Sequence, residues 1–271
     1  MERNNTILDC KISGIEYYLP QTIIDNQLLS SRYPEWNESK IYEKTGIRSR
    51  HVVSNDEHVS DLAVNAAKKL IEKGNLDPSE IDTLILCTQT PDYSIPPTSC
   101  LVHERLGLSK RCVAFDFNQG CTGFIYGLYI AGNMIHSGSS LNVLLITSET
   151  YSRWCHPMDK SVTTIFGDGA AAVYLCHAKG EHGIGPFIFG TDGRGFQNLI
   201  VHYSGSHRIQ SNDGGDNETA DESGNIRTSA NLYMNGPELF RFAMGTVPSL
   251  VKDVLSASKT SFENIDKFVF H

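Results

Sequence analysis

At 271 residues, with 40% apolar and 20% charged residues, the chain has the balance of a soluble enzyme and enough length for one large or two ordinary globular units. Its net charge of −8 argues against a nucleic-acid binder, and no stretch approaches the roughly 20 apolar residues that a membrane helix needs. The opening MERNNTILDCKIS lacks the apolar core of a signal peptide, and seven cysteines without a CxxC pair fit the cytoplasm better than a disulfide scaffold.

In chain order, residues 12–18 alternate as a strand. Residues 59–73 place Leu62, Ala63, Ala66, Ala67, Leu70 and Ile71 on one helical face, which Gly74 and Asn75 terminate. Residues 83–87 form a short buried strand, in which Cys87 is a small hydrophobe, as is Cys176 later. A helix after Pro97, a strand at 113–117, a helix at 121–136 and strands at 143–147 and 170–176 follow. Strands alternating with helices imply an α/β fold with parallel pairing and helices on both faces. Residues 211–225, SNDGGDNETADESGN, contain no large apolar side chain and read as a solvated loop.

An internal echo runs through the chain. Ser79-Glu80-Ile81-Asp82-Thr83-Leu84-Ile85-Leu86-Cys87 recurs as Glu263-Asn264-Ile265-Asp266-Lys267-Phe268-Val269-Phe270-His271, at a constant offset of 184 (265 − 81). The helices in front match as well, Leu70-Ile71 against Val254-Leu255. The echo divides the chain into halves, 1–178 and 179–271, and makes 265–271 a strand equivalent to 81–87. The first half continues beyond its copy and the second does not, so the sequence is expected to be a C-terminally truncated form of a longer protein, with its second half incomplete.

Chemistry concentrates in Ala114-Phe115-Asp116-Phe117-Asn118-Gln119-Gly120-Cys121-Thr122-Gly123-Phe124. A strand enters a tight turn, and a helix begins at the cysteine. A thiol there faces the positive end of the helix dipole, and nearby N–H groups are placed to hold an oxyanion. Gly120 and Gly123 permit a sharp turn and close approach to the backbone. On this pattern alone two readings stand, a nucleophile and a buried structural cysteine.

The segment resembles the nucleophile turn of the 3-oxoacyl-(acyl carrier protein) synthase III family, in which a strand ending Phe-Asp leads to Cys-x-Gly-Phe. Four further motifs agree in order. Thr45-Gly46-Ile47-Arg48-Ser49-Arg50-His51 is similar to an early TGIRxRH signature, and Phe166-Gly167-Asp168-Gly169-Ala170 to an FGDGA turn. Met234-Asn235-Gly236-Pro237-Glu238-Leu239-Phe240 is similar to an MxGxxxF helix entry, and 265–271 to the strand that ends at a catalytic histidine. The resemblance implies a thiolase-like, duplicated α-β-α-β-α layered fold. It implies an acyltransferase of fatty acid biosynthesis performing decarboxylative Claisen condensation, with Cys121 carrying the acyl group and His271 stabilising the enolate. Cys121 and His271 are thus the catalytic candidates. The family's asparagine and glycine-rich loop beyond this histidine are missing, so the chain as it stands is expected to be impaired.

The resemblance also implies acyl-thioester partners, carried by coenzyme A or an acyl carrier protein, and a homodimer. Neither a metal, a cofactor, a nucleic acid nor a membrane is expected: Cys155-His156 has no second ligand pair, and Gly193-x-Gly195 is too short for a dinucleotide fingerprint. In relatives using acetyl-CoA, a tryptophan and an arginine sandwich the adenine; the matching positions here are Lys40 and Lys160, with Trp36 four residues before Lys40. Lysine cannot stack that way, and Lys40, Lys44 and Lys160 would instead form a basic rim for a phosphopantetheine arm or an acidic carrier. Ile95 matches a loop reaching the partner subunit's acyl pocket, and Met234 and Phe240 match tunnel-lining positions. His51 and His103 are expected to be satisfied locally. Acyl transfer from Cys121 to an alcohol or amine, and a non-catalytic dimer partner, are the alternative functions.

Overall fold

The computed structural model describes residues 6–180, 183–209 and 215–271. The elements run β1 Cys10–Tyr18, β2 Thr22–Asp25, α1 Asn26–Arg32, α2 Glu38–Thr45, β3 Ser49–Val52, α3 Val59–Gly74, β4 Thr83–Cys87, α4 Thr98–Leu106 and β5 Val113–Phe117. There follow α5 Gly123–His136, β6 Asn142–Glu149, α6 Lys160–Thr163, β7 Gly169–His177, β8 Leu199–Val201, β9 Thr219–Ala220, β10 Ile226–Arg227, β11 Leu232–Met234 and α7 Gly236–Ala257.

Five strands form the main sheet in the order β1-β7-β6-β4-β5. The period of two along each strand separates two cores. Leu84, Leu86, Leu144, Ile146, Ala172 and Tyr174 face α3 and α4, whereas Ile85, Val143, Leu145, Val173 and Leu175 face α5. Fully burying each Leu or Ile contributes about 1.5–3 kcal/mol, so these two layers dominate the driving force for folding. The helical stripe of α3 is the expected one. His58 and Asp61 close a capping box at its start, and Asn75 ends it in the left-handed region at φ 48°.

Parallel pairing holds for β4 with β5 and with β6. It fails for β7, which runs antiparallel to both β6 and β1. The segment between β6 and β7 contains only the four-residue α6 and a short 3₁₀ turn, not the long crossover helix that a parallel return requires. The sheet is therefore mixed, with helices on both faces.

The 184-residue echo has a geometric counterpart. The left-handed Asn75 matches Lys259 (75 + 184) at φ 51°, and the 3₁₀ turn Pro78–Glu80 matches Phe262–Asn264. The expected strand at 265–271 does not form. No neighbouring strand lies beside it among the described residues, Val269 and Phe270 are 86% and 65% exposed, and a strand without a hydrogen-bonded neighbour is not stable. For the same reason α7, although amphipathic, buries none of its residues.

Residues 211–225 are not simply a solvated loop. Residues 211–214 lie outside the described residues, but β9 pairs with β10 and Asn225 is buried. Asp221 makes the turn, accepting from the backbone N–H groups of Ser223 and Asn225.

Candidate active site

The Cys121 turn is held from three sides. At the end of β5, the Asp116 carboxylate accepts the N–H groups of Thr98 at 2.6 Å and Ser99 at 2.8 Å, capping α4. The Gly123 N–H donates to the Gly120 carbonyl at 2.7 Å, and α5 starts at Gly123, two residues later than the expected start at Cys121. Neither glycine is there for a left-handed backbone. A Cβ on Gly123 would lie 2.3 Å from the Cys87 Sγ, and one on Gly120 would lie 2.7 Å from the Gln89 Oε1. Absence of side chains lets the turn sit directly on β4 and the segment that follows it.

The cysteines sort by environment. Burial, helped by the Glu149 charge, pushes the Cys87 thiol up to about 11, and it donates to the Gln119 carbonyl. Burial pushes Cys155 up to about 12, where it donates to the Tyr151 carbonyl. Both are structural thiols. Cys121 is exposed at the surface of its turn, a property it shares only with Cys100.

Beneath the turn lies a polar floor absent from the sequence reading. The Glu149 carboxylate accepts from the Gln89 N–H at 2.7 Å, the Thr90 hydroxyl at 2.6 Å and the Thr88 hydroxyl at 3.4 Å. Gln89 Oε1 in turn accepts from the Tyr151 hydroxyl. Burial lifts the Glu149 carboxyl to about 7, against the opposing hydrogen bonds from Thr90, Gln89 and Thr88. A carboxyl raised in the folded state binds a proton that the unfolded chain has already released. Folding stability should therefore fall between pH about 4.5 and about 7 and level off above, by roughly 3 kcal/mol from this group. Denaturant melts across this range should show that slope, and Glu149→Gln should remove it. A cavity of about 710 Å³ opens beside the floor, lined by Gln89, Asn118, Tyr151, Trp154, Ile200 and Leu232 among others.

A second groove of about 960 Å³ gathers Lys44, Lys160, Met234 and Phe240, together with Trp36 and Arg227. Phe240 is 69% exposed, so it is a groove residue and not helix core. The basic rim is partly occupied. Lys160 pairs with Glu35 at 3.0 Å and donates to the Ser223 carbonyl, while Lys40 and Lys44 both lie over the Trp36 ring, at 5.6 and 5.4 Å. Lys40 also donates to the Glu35 carbonyl and does not line the groove. Ile95 is 85% exposed on the 91–97 loop and lines neither cavity, although Pro91, Asp92 and Ser94 of that loop line the first. His271 lies in exposed irregular chain, and no hydrogen bond joins it to Cys121 among the described residues.

The outer wall of the groove was missed as well. Arg227 reaches the fully buried Asp159 at 2.7 Å and Asp221 at 2.8 Å, docking the β9–β10 hairpin onto the start of α6. An arginine after an isoleucine in an otherwise polar run was the available signal. The early and FGDGA motifs act as scaffold. The Arg50 guanidinium is buried on neutral oxygens, those of Thr164 and Asn26, and burial pulls its pKa below the ordinary value. Asp168 accepts the N–H groups of Val53 and Ser152, each at 2.8 Å. His51 and His103 are each satisfied by a carbonyl, those of Pro20 and Ser109.

Residues 115–193, spanning the nucleophile turn and the FGDGA segment, match the family 3-oxoacyl-[acyl-carrier-protein (ACP)] synthase III. A beta-ketoacyl-[acyl-carrier-protein] synthase III from Caldanaerobacter subterraneus subsp. tengcongensis is 35% identical over 260 residues, covering 96% of this chain and 75% of the relative. One from Bradyrhizobium sp. is 36% identical, covering 96% and 76%. A crystal structure of a 3-oxoacyl-(acyl-carrier-protein) synthase III superposes with a TM-score of 0.90 at 42% identity, covering 95% of this chain and 77% of that one. With the motifs in order, the sheet in place and relatives matched over three quarters of their length, the chain belongs to the 3-oxoacyl-(acyl-carrier-protein) synthase III family of condensing enzymes.

Proposed function

We propose that this chain accepts an acyl group from a thioester onto the Cys121 sulfur and joins it to the carbanion released by decarboxylation of a malonyl thioester. The observation that carries this reading is the exposure of Cys121 in a turn clamped by Asp116, Gly120 and Gly123, at the entry to α5. A covalent acyl-enzyme divides one difficult carbon–carbon bond formation into two easier steps. His271 is assigned the enolate-stabilising role on family resemblance alone.

For the donor we favour a phosphopantetheine arm on an acidic carrier protein over free coenzyme A. Both lysines over Trp36 occupy the ring face that an adenine would use, and Lys160 stands where a planar stacking partner would be needed. The homodimer, with Ile95 reaching its partner, and a cytoplasmic site of action belong to the same proposal, as do the two halves 1–178 and 179–271.

The test incubates the protein with matched acyl-carrier-protein and acyl-CoA thioesters and weighs the intact chain. An adduct of the acyl mass, formed at least tenfold faster from the carrier thioester, supports both parts. Carbon dioxide release from malonyl thioester on the acylated protein marks condensation. Equal or faster acylation by the CoA thioesters sinks the carrier preference, and no adduct from any donor sinks the nucleophile.

A further inference from the structure

We propose that Glu149 is a positioning residue for Cys121, acting through Gln89. The inference rests on the reading of Cys121 as the acyl acceptor. Glu149 ends β6, beside β4, and its carboxylate collects the Gln89 N–H and the hydroxyls of Thr88 and Thr90, fixing the backbone that leaves β4. Thr90 is itself tied back, its hydroxyl accepting the Thr150 N–H at 2.9 Å. With the backbone at 89 fixed, the Gln89 side chain is presented to the turn. It lies under Gly120, at 2.7 Å from where a Cβ would be, and Tyr151 holds its amide oxygen from the other side. The residue after Gly120 is the nucleophile.

Stability alone does not account for this carboxylate. Burial penalises its charge, and only the three donors it collects offset that penalty; an apolar side chain would avoid the penalty and leave the three donors without this acceptor. A group that costs stability yet organises three donors at the base of a reactive turn fits a functional constraint. The chain of contact is short: Glu149 to Gln89 backbone, Gln89 side chain to Gly120, Gly120 to Cys121.

Two readouts test it on the whole protein. In amide hydrogen exchange, Glu149→Ala and Gln89→Leu should each speed exchange of the Gly123 N–H, which closes the turn, at least tenfold, and leave the amides of α3 unchanged. In intact-mass acylation, each should slow adduct formation at saturating thioester by about 10–100-fold, with the half-saturating concentration unchanged within about twofold. The double variant should be no slower than the worse single one, because both act through one contact chain. Glu149→Gln keeps the shape and a single acceptor, and should fall between wild type and alanine. Additive defects, or a turn whose exchange does not respond, overturn the proposal. A wild-type chain that takes no acyl group while its turn still loosens in the variants overturns the function proposed for Cys121 and leaves the mechanical link standing.

Discussion

Cys121→Ser should lower acyl-adduct formation by about three orders of magnitude or more, read as loss of the added mass from the intact protein. The hydroxyl keeps the size of the side chain, so the turn and its contacts with Cys87 and Gln89 should survive, and the melt should remain cooperative. What is lost is the sulfur itself, a far stronger nucleophile toward a thioester than a hydroxyl oxygen. Adduct formation at an undiminished rate would move the nucleophile elsewhere, and Cys100, the other exposed thiol, would be the first place to look.

Arg227→Ala should be the most damaging change outside the turn. Asp159 is completely buried, and Arg227 is its charge partner. Removing one side of a buried pair leaves an uncompensated charge, at a cost of about 3–5 kcal/mol; the bonds that Asp159 also accepts from Ser161 place the expectation near the lower end. The melting temperature should fall by roughly 10 °C for a chain of this size. Arg227→Lys should recover only part, since one ammonium cannot reproduce a fork that reaches both Asp159 and Asp221. Partial burial works to raise the Asp221 carboxyl, but hydrogen bonds from Asn225 and Arg227 prevail and hold it down at about 2. A depressed carboxyl contributes stability that is present above its unfolded value, near 4, and lost as pH falls toward 2. Wild-type hairpin docking should weaken across that window, and Arg227→Ala should shift the loss to higher pH.

The parts of the fold that a sequence reading captured are those in which one face of one element is decided by one core. The stripe of α3 and the apolar run of β4 are such cases. Five ordered motifs also pointed to the family, and three of them have a local physical job here: Arg50 and Asp168 tie loops to α6 and β3, and Asp116 caps α4. Relations between distant segments were less visible. Whether β7 returns parallel or antiparallel depends on the length of helix before it, which periodicity does not report. The Glu149 floor was hidden because its partners, Thr88, Gln89 and Thr90, look like an ordinary polar strand end. Arg227 was hidden because its buried partner, Asp159, is 68 residues away. The expected strand at 265–271 failed for the opposite reason: its local pattern is right, but pairing needs a neighbour that local pattern does not supply.

The groove lined by Lys44, Lys160 and Arg227 is fastened by two kinds of joint that answer differently to ionic strength. Lys160–Glu35 is an ion pair whose carboxylate is solvent-exposed, and dissolved salt weakens such an attraction. The Arg50 joint has no opposite charge to screen, only the oxygen dipoles of Thr164 and Asn26 in a dry interior. Raising salt therefore loosens Lys160 at the rim and leaves the frame behind it in register, an adjustable edge mounted on a rigid base.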